Sequence, residues 1–237
     1  MDNKNLNQFE KKINVIFNDK DLLQQVFVHR SYLNEHKSFP LDNNERLEFL
    51  GDACLELVVT EYLYKKYQEP EGVLTNWRSA LVKGESLSEL AKKIGIDNYL
   101  MLSRGESQGQ GKSRNLILAN AMEALIGAIY LDQGYDKVAK FINDYLIINL
   151  DNIIENELFI DAKSKLQEFS QEKYKITPIY KVISESGPDH AKKFVTGVFI
   201  GDKQIGEGDG NSKQKAEQDA ANNALNNVND IKNFSIE

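Results

Sequence analysis

Two textures of apolar and polar positions run along the chain. Through roughly the first 150 residues, apolar side chains recur three and four apart, the spacing that places them on one helix face. Leu6, Phe9, Ile13 and Ile16 predict a first helix, and Asp19-Lys20-Asp21 introduces a second apolar run, Leu22 to Val28. Asn43-Asn44 precedes a long helix from Glu45 to Tyr67, which Pro70-Glu71-Gly72 breaks. Ser86 with Glu89 has the form of a capping box ahead of Leu90, Ala91 and Ile94, and Gly95 closes that helix. Gly105 to Gly111 is a polar, glycine-rich loop. Leu116 to Leu131 is a strongly apolar helix ending at Gly134, and Tyr135 to Asn149 gives the last helix of this part.

The texture changes near Asn156–Ala162. From there the pattern predicts helix, three strands, helix. Leu166, Phe169 and Tyr174 mark the first helix. Pro178 to Ser186 and Lys193 to Ile200 alternate in the manner of strands, joined by a Gly187-Pro188-Asp189 turn. Gly201-Asp202-Lys203 turns into a short strand, Gln204 to Glu207. Ala216, Ala220, Ala221, Ala224, Leu225 and Val228 line one face of the closing helix, where small side chains let it sit close against a sheet. The tail after Asn229 is expected to fray.

The 237 residues suffice for one medium and one small domain. No run of eighteen apolar residues predicts a membrane span, and the polar start from Met1 to Lys12 lacks the form of a secretory signal. A single cysteine, Cys54, excludes an internal disulfide and a multi-cysteine zinc site. It is expected to be a small core residue, and these features together predict a reducing, cytoplasmic setting. The net charge of −7 argues against a nucleic-acid partner unless the charge is unevenly distributed.

Its distribution is uneven. In Glu45-Arg46-Leu47-Glu48-Phe49-Leu50-Gly51-Asp52-Ala53-Cys54-Leu55 the helix is apolar over most of its circumference, as buried helices are. Yet Glu45, Glu48 and Asp52 share one face, with Glu56 close to the same stripe. In the apolar helix Leu116 to Ile126, Asn120 and Glu123 are the polar pair, three residues apart. Buried carboxylates need partners, and clustered ones repel. A hard divalent cation held by oxygens resolves both demands. A solvated acidic face balanced by Arg46 or lysines is the other reading. Spacing alone does not separate phosphoryl chemistry from a structural metal.

Asn44-Glu45-Arg46-Leu47-Glu48-Phe49-Leu50-Gly51-Asp52 resembles the nine-residue signature of the ribonuclease III family without a mismatch. His29-Arg30-Ser31-Tyr32, Glu71-Gly72 and Leu118-Ala119-Asn120-Ala121-Met122-Glu123-Ala124 resemble its other motifs. The resemblance implies a multi-domain protein: an all-α nuclease domain over 5–155 and an α-β-β-β-α double-stranded RNA-binding domain over 161–229. It implies that Glu48, Asp52, Asn120 and Glu123 bind Mg2+, that Asp52 and Glu123 are the catalytic pair, and that Glu45 and Glu71 support them or touch RNA. It further implies two-metal hydrolysis to 5′-phosphate and 3′-hydroxyl ends, on ribosomal precursors and messenger hairpins, by a homodimer with Phe49 at its interface. An ordinary core role is the other reading of Phe49. His29 matches no metal position of the family and is expected to be structural. The family usually has Asp where Asn120 stands, which predicts weaker metal affinity. It also keeps open a protein that binds double-stranded RNA without cutting it.

The same resemblance implies an RNA grip at three places. These are Gln167 on the first helix, His190 in the turn, and Ser212, Lys213 and Lys215 at the head of the last helix, where amide groups and lysines would face phosphates. The family often has a basic residue where Gln214 stands, so the clamp is expected to be weak. Between residues 161 and 230 ten lysines face eleven acids, so binding must depend on where the lysines lie. The plain alternatives are a solubilising helix start for the two lysines and an ordinary turn residue for His190.

Overall fold

Helices of the first part are set by local signals and then fixed by one central member. The computed structural model describes residues 3–188 and 192–227, and the chain divides into two units between Phe159 and Ile160. The first unit contains α1 (Asn3–Ile13), α2 (Lys20–Val26), α3 (Arg30–Glu35), α4 (Glu45–Lys66) and α5 (Glu71–Val82). After these come α6 (Gly84–Ile94), α7 (Arg104–Ser107), α8 (Lys112–Gln133), α9 (Tyr135–Tyr145) and α10 (Leu150–Glu155). The Asp19 carboxylate accepts from the Asp21 and Leu22 amides at 2.9 and 3.1 Å, so α2 begins there. Gly95, at φ +79°, ends α6 in the left-handed conformation that suits glycine.

The α8 helix is the hub, packed by α2, α4, α6 and α9. Leu118, Ala121, Met122, Leu125 and Ile129 are all buried in one core with Phe9, Phe27, Leu55 and Leu87. By length and composition alone α8 is apolar enough to cross a membrane, but it is mostly buried and its apolar surface is spent on this core. The tightest packing is where α4 crosses α8. A Cβ on Gly51 would lie 1.7 Å from the Glu123 carbonyl oxygen, and one on Gly127 would lie 2.3 Å from that of Leu47. Backbone meets backbone there, with no side chain between.

Several predicted boundaries shift. The first helix stops at Ile13, because Asn14 takes φ +53° and leaves Ile16 exposed beyond it. Ser86 is not a cap: α6 starts at Gly84, and the Ser86 hydroxyl donates instead to the Ala80 carbonyl. The glycine-rich segment is not all loop, since Ser103 caps the short α7 by accepting from the Glu106 amide. The last predicted helix breaks after Tyr145 into a 3-10 turn, Ile147–Asn149, and then α10.

The second unit has the order α11 (Ala162–Tyr174), β1 (Ile179–Ser186), β2 (Lys193–Ile200), β3 (Lys203–Gly210) and α12 (Lys213–Asn226). The strands form one antiparallel sheet in the order β1-β2-β3, with an irregularity at Ile183. β3 is longer than the predicted Gln204 to Glu207, because Gly206, Gly208 and Gly210 alternate onto the face that meets α12. A Cβ on Gly208 would lie 2.1 Å from the Ala220 amide nitrogen. Bare strand therefore receives the alanine face of α12, and Ala216, Ala220, Ala221 and Ala224 are all buried. Asp161 caps α11 through the Lys163 and Ser164 amides and also accepts from Gln218 of α12, tying the two helices together. His190, Asp189, Val228 and the tail after Asn229 lie outside the described residues.

Candidate active site

The glycine crossing of α4 and α8 places the acidic notch of each helix against the other. Glu48 and Asp52 flank Gly51 on α4, and Gly51 abuts the carbonyl of Glu123 itself on α8. Asn120, one turn earlier, brings its side-chain amide near the Glu48 carboxylate and favours its charged form. Glu48, Asn120 and Glu123 are half-buried, and Asp52 is exposed. The group is thus walled on the α8 side and open at Asp52.

The electrostatics record the crowding. Burial, then the charges of Asp52 and Glu48, pushes the Glu123 carboxyl up to about 7. Glu48 is also raised, by burial and by Glu45 and Asp52, against the opposing pull of the Asn120 amide. The donors are all hard oxygens: three carboxylates and one amide carbonyl, as a divalent metal with retained waters prefers. Among the described residues no three Asp, Glu, His or Cys side chains close on one point as a finished cage. That openness suits a metal whose remaining positions go to water and a substrate phosphate.

The other predicted residues lie at the edge of this group or away from it. Glu45 is exposed and pairs with Arg30 at 3.6 Å, and its backbone amide donates to the Asn43 side chain at 3.1 Å. Glu71 stands at the start of α5, where it accepts from the Thr75 hydroxyl at 3.2 Å; it is not among the charges acting on Glu48 or Glu123. Glu56 leaves the stripe by pairing with Arg78 at 2.8 Å. His29 is structural: its ring caps α3 by accepting from the Ser31 amide, and burial lowers its pKa. Phe49 is 81% exposed, which excludes the core role. It heads an exposed run down α4 that includes Ala53, Leu57 and Tyr64. Cys54 is buried, as expected.

In the second unit Gln167 is exposed on α11. Ser212 caps α12, its hydroxyl accepting from the Lys215 amide at 3.3 Å, and Lys213 and Lys215 are exposed beside it. Sequence reasoning missed Gly51 and Gly127 as packing determinants. The signal was available, since each glycine interrupts a run of good helix formers and has an acid on the same helix within one turn, Asp52 and Glu123 respectively.

Similarity to known proteins agrees with this geometry. A family model described as Ribonuclease-III-like matches residues 19–150, and one described as Double-stranded RNA binding motif matches residues 162–228. Ribonuclease 3 of Enterococcus faecalis is 44% identical over 230 residues, covering 96% of this chain and 99% of that protein. Ribonuclease 3 of Streptococcus thermophilus is 44% identical over 225 residues, covering 93% and 98%. The solved nuclease domain of ribonuclease III from Campylobacter jejuni, described for flexibility in its region involved in dimer formation, superposes with TM-score 0.54. It is 37% identical and covers 60% of this chain and 95% of that one. A helical nuclease fold followed by an RNA-binding module defines the class. The chain belongs to the ribonuclease III family, endoribonucleases that act on double-stranded RNA and need a divalent metal.

Proposed function

We propose that the α4/α8 acidic group is the hydrolytic centre and that Mg2+ is its metal. Glu48, Asp52, Glu123 and the Asn120 carbonyl are the ligands in this reading, with Asp52 and Glu123 the catalytic pair. Magnesium bound there would supply the activated water and the charge that stabilises the attacking and leaving oxygens. The chain's own part is positional. Gly51 holds the Glu123 backbone against α4, so the acids of both helices face one opening. The exposed Asp52 marks the side from which RNA enters, and the apolar wall behind Glu123 keeps bulk water off the buried half. Products carry 5′-phosphate and 3′-hydroxyl ends.

In the same reading Phe49 and the exposed run below it on α4 form a homodimer interface, and Glu45 and Glu71 act from the rim or touch RNA. Gln167, His190, Ser212, Lys213 and Lys215 hold the duplex, with functional domains spanning 5–155 and 161–229. The substrates are ribosomal precursors and messenger hairpins in the cytoplasm. The observation that carries this reading is the glycine crossing, which sets the acids of α4 against Glu123 of α8. Asn120 at a position usually acidic favours one competing reading, a protein that binds duplex RNA without cutting it.

The test is a labelled RNA duplex of about 30 base pairs, longer than the roughly 16 pairs such a domain spans. It is incubated over a magnesium titration, with EDTA and Glu123→Ala as controls. Cleavage to 5′-phosphate ends, lost in both controls, supports the nuclease. Duplex retention without cleavage at any magnesium level refutes it in favour of the binder.

A further inference from the structure

Lys213 is not a free cation at the head of α12. The Glu185 carboxylate, near the end of β1, lies 3.5 Å from Lys213 Nζ and 3.7 Å from Lys192 Nζ. The sheet register explains why it reaches. Glu185 is paired with Phe194 on β2, and Phe194 with Gly210 on β3. A Cβ on Gly210 would lie 2.5 Å from the Ala216 amide nitrogen, so the first turn of α12 sits directly over this row. Lys213 then hangs 5.8 Å from the Phe194 ring centre with its ammonium toward Glu185.

We propose that Glu185 sets the strength of the RNA clamp by holding Lys213 in an intramolecular ion pair that an RNA phosphate must displace. The proposal rests on the reading of Lys213 as a phosphate contact. Both separations lie in the ion-pair range but beyond good hydrogen-bond length, so the carboxylate engages the lysines by charge alone. The side chains are 60% and 39% exposed for Lys213 and Glu185, and an exposed pair of this kind shifts an equilibrium by no more than about fivefold. A phosphate makes short, charge-assisted hydrogen bonds and wins the exchange. It does so against a negative charge that remains beside it. The cluster of Lys192, Lys213 and Glu185 therefore offers RNA less than two lysines' worth of attraction. Gln214, between the two lysines of the first turn, adds no charge of its own.

The test measures binding of the full chain to a labelled RNA duplex of about 20 base pairs, in EDTA so that nothing is cut, across a salt series. Glu185 is exposed and Glu185→Gln keeps its shape, so unchanged thermal unfolding is expected. Glu185→Gln should tighten binding about three- to fivefold at low salt. The gain should shrink as salt rises, because the repulsion removed is between exposed charges. In a Lys213→Gln background the gain should fall to about twofold or less, because the pair no longer exists. Binding equal to or weaker than the parent in Glu185→Gln overturns the proposal. So does an equal gain in both backgrounds, which would make Glu185 a bulk-charge effect. Lys213→Gln that leaves affinity unchanged refutes Lys213 as a phosphate contact, and the proposal falls with it.

Discussion

Replacing Gly51 with alanine tests whether the α4/α8 crossing builds the site. The added Cβ would stand 1.7 Å from the Glu123 carbonyl oxygen, 2.5 Å from its carbon and 2.9 Å from the Gly127 amide nitrogen. The first distance is half of the 3.4 Å at which ordinary contact begins. All three obstacles are backbone atoms, so no rotamer change relieves them, and the helices must part by more than about 1 Å. Overpacking of a core usually costs about 1–3 kcal/mol, and a backbone obstacle places this change at the upper end. For a unit of this size that lowers the unfolding midpoint by about 10 °C. Displacing Glu123 by about 1 Å should also cost roughly 100-fold in cleavage rate. Gly72→Ala is the control, because nothing lies within 4 Å of its Cβ; it should leave the midpoint unchanged or raise it slightly. Circular dichroism melts and duplex cleavage at saturating magnesium read both effects. A Gly51→Ala protein melting within about 2 °C of the parent and cutting within about twofold of it would refute the packing argument.

Three further outcomes follow from the site. Glu123 binds its proton more tightly folded, at about 7, than its ordinary 4.5, so in EDTA stability is fully retained below 4.5 and falls as pH rises through about 7. Melts from pH 4 to 9 should show that decline, flattened in Glu123→Gln and reversed above pH 7 by added magnesium; a flat profile in the parent would contradict it. Asn120→Asp adds a charge beside Glu48 and should lower the magnesium needed for half-maximal cleavage about five- to tenfold, the scale of unit charges near 4 Å in water; an unchanged requirement would remove Asn120 from the ligand set. Phe49→Ala should weaken self-association about 30-fold in sedimentation, as loss of a central aromatic anchor does, with the melting midpoint of dilute protein unchanged. Unaltered association would place the interface elsewhere.

Much of this was legible in the chain because local physics and tertiary demand agree. The apolar periodicity of Glu45–Lys66 and Lys112–Gln133, the acids set into it, and the alanine face of α12 all survive folding as written. The failures came where a long-range contact overrode a local signal. Ser86 has capping-box form, but the Ala80 carbonyl claims its hydroxyl. Glu56 lies on the acidic stripe, but Arg78 from α5 removes it. The length of β3 was hidden because Gly206, Gly208 and Gly210 are poor strand formers; it is the bare backbone they offer to α12 that keeps the strand running. Glu71 shows a different limit: its motif is clear, yet within one chain it stands apart from the acids it accompanies in sequence.

The glycine contact between α4 and α8 also limits how such a protein can vary. Most helix interfaces have a layer of side chains that can be exchanged in small steps, sliding the helices and adjusting whatever they carry. This one has no such layer at Gly51 and Gly127, so the spacing of Glu48, Asp52 and Glu123 has no fine control. Diversity in what the site binds must then arise as outright replacement of a donor on an unmoved frame. If the proposed ligand set holds, Asn120 in place of an acid is a change of that kind, with ligand charge altered and geometry inherited.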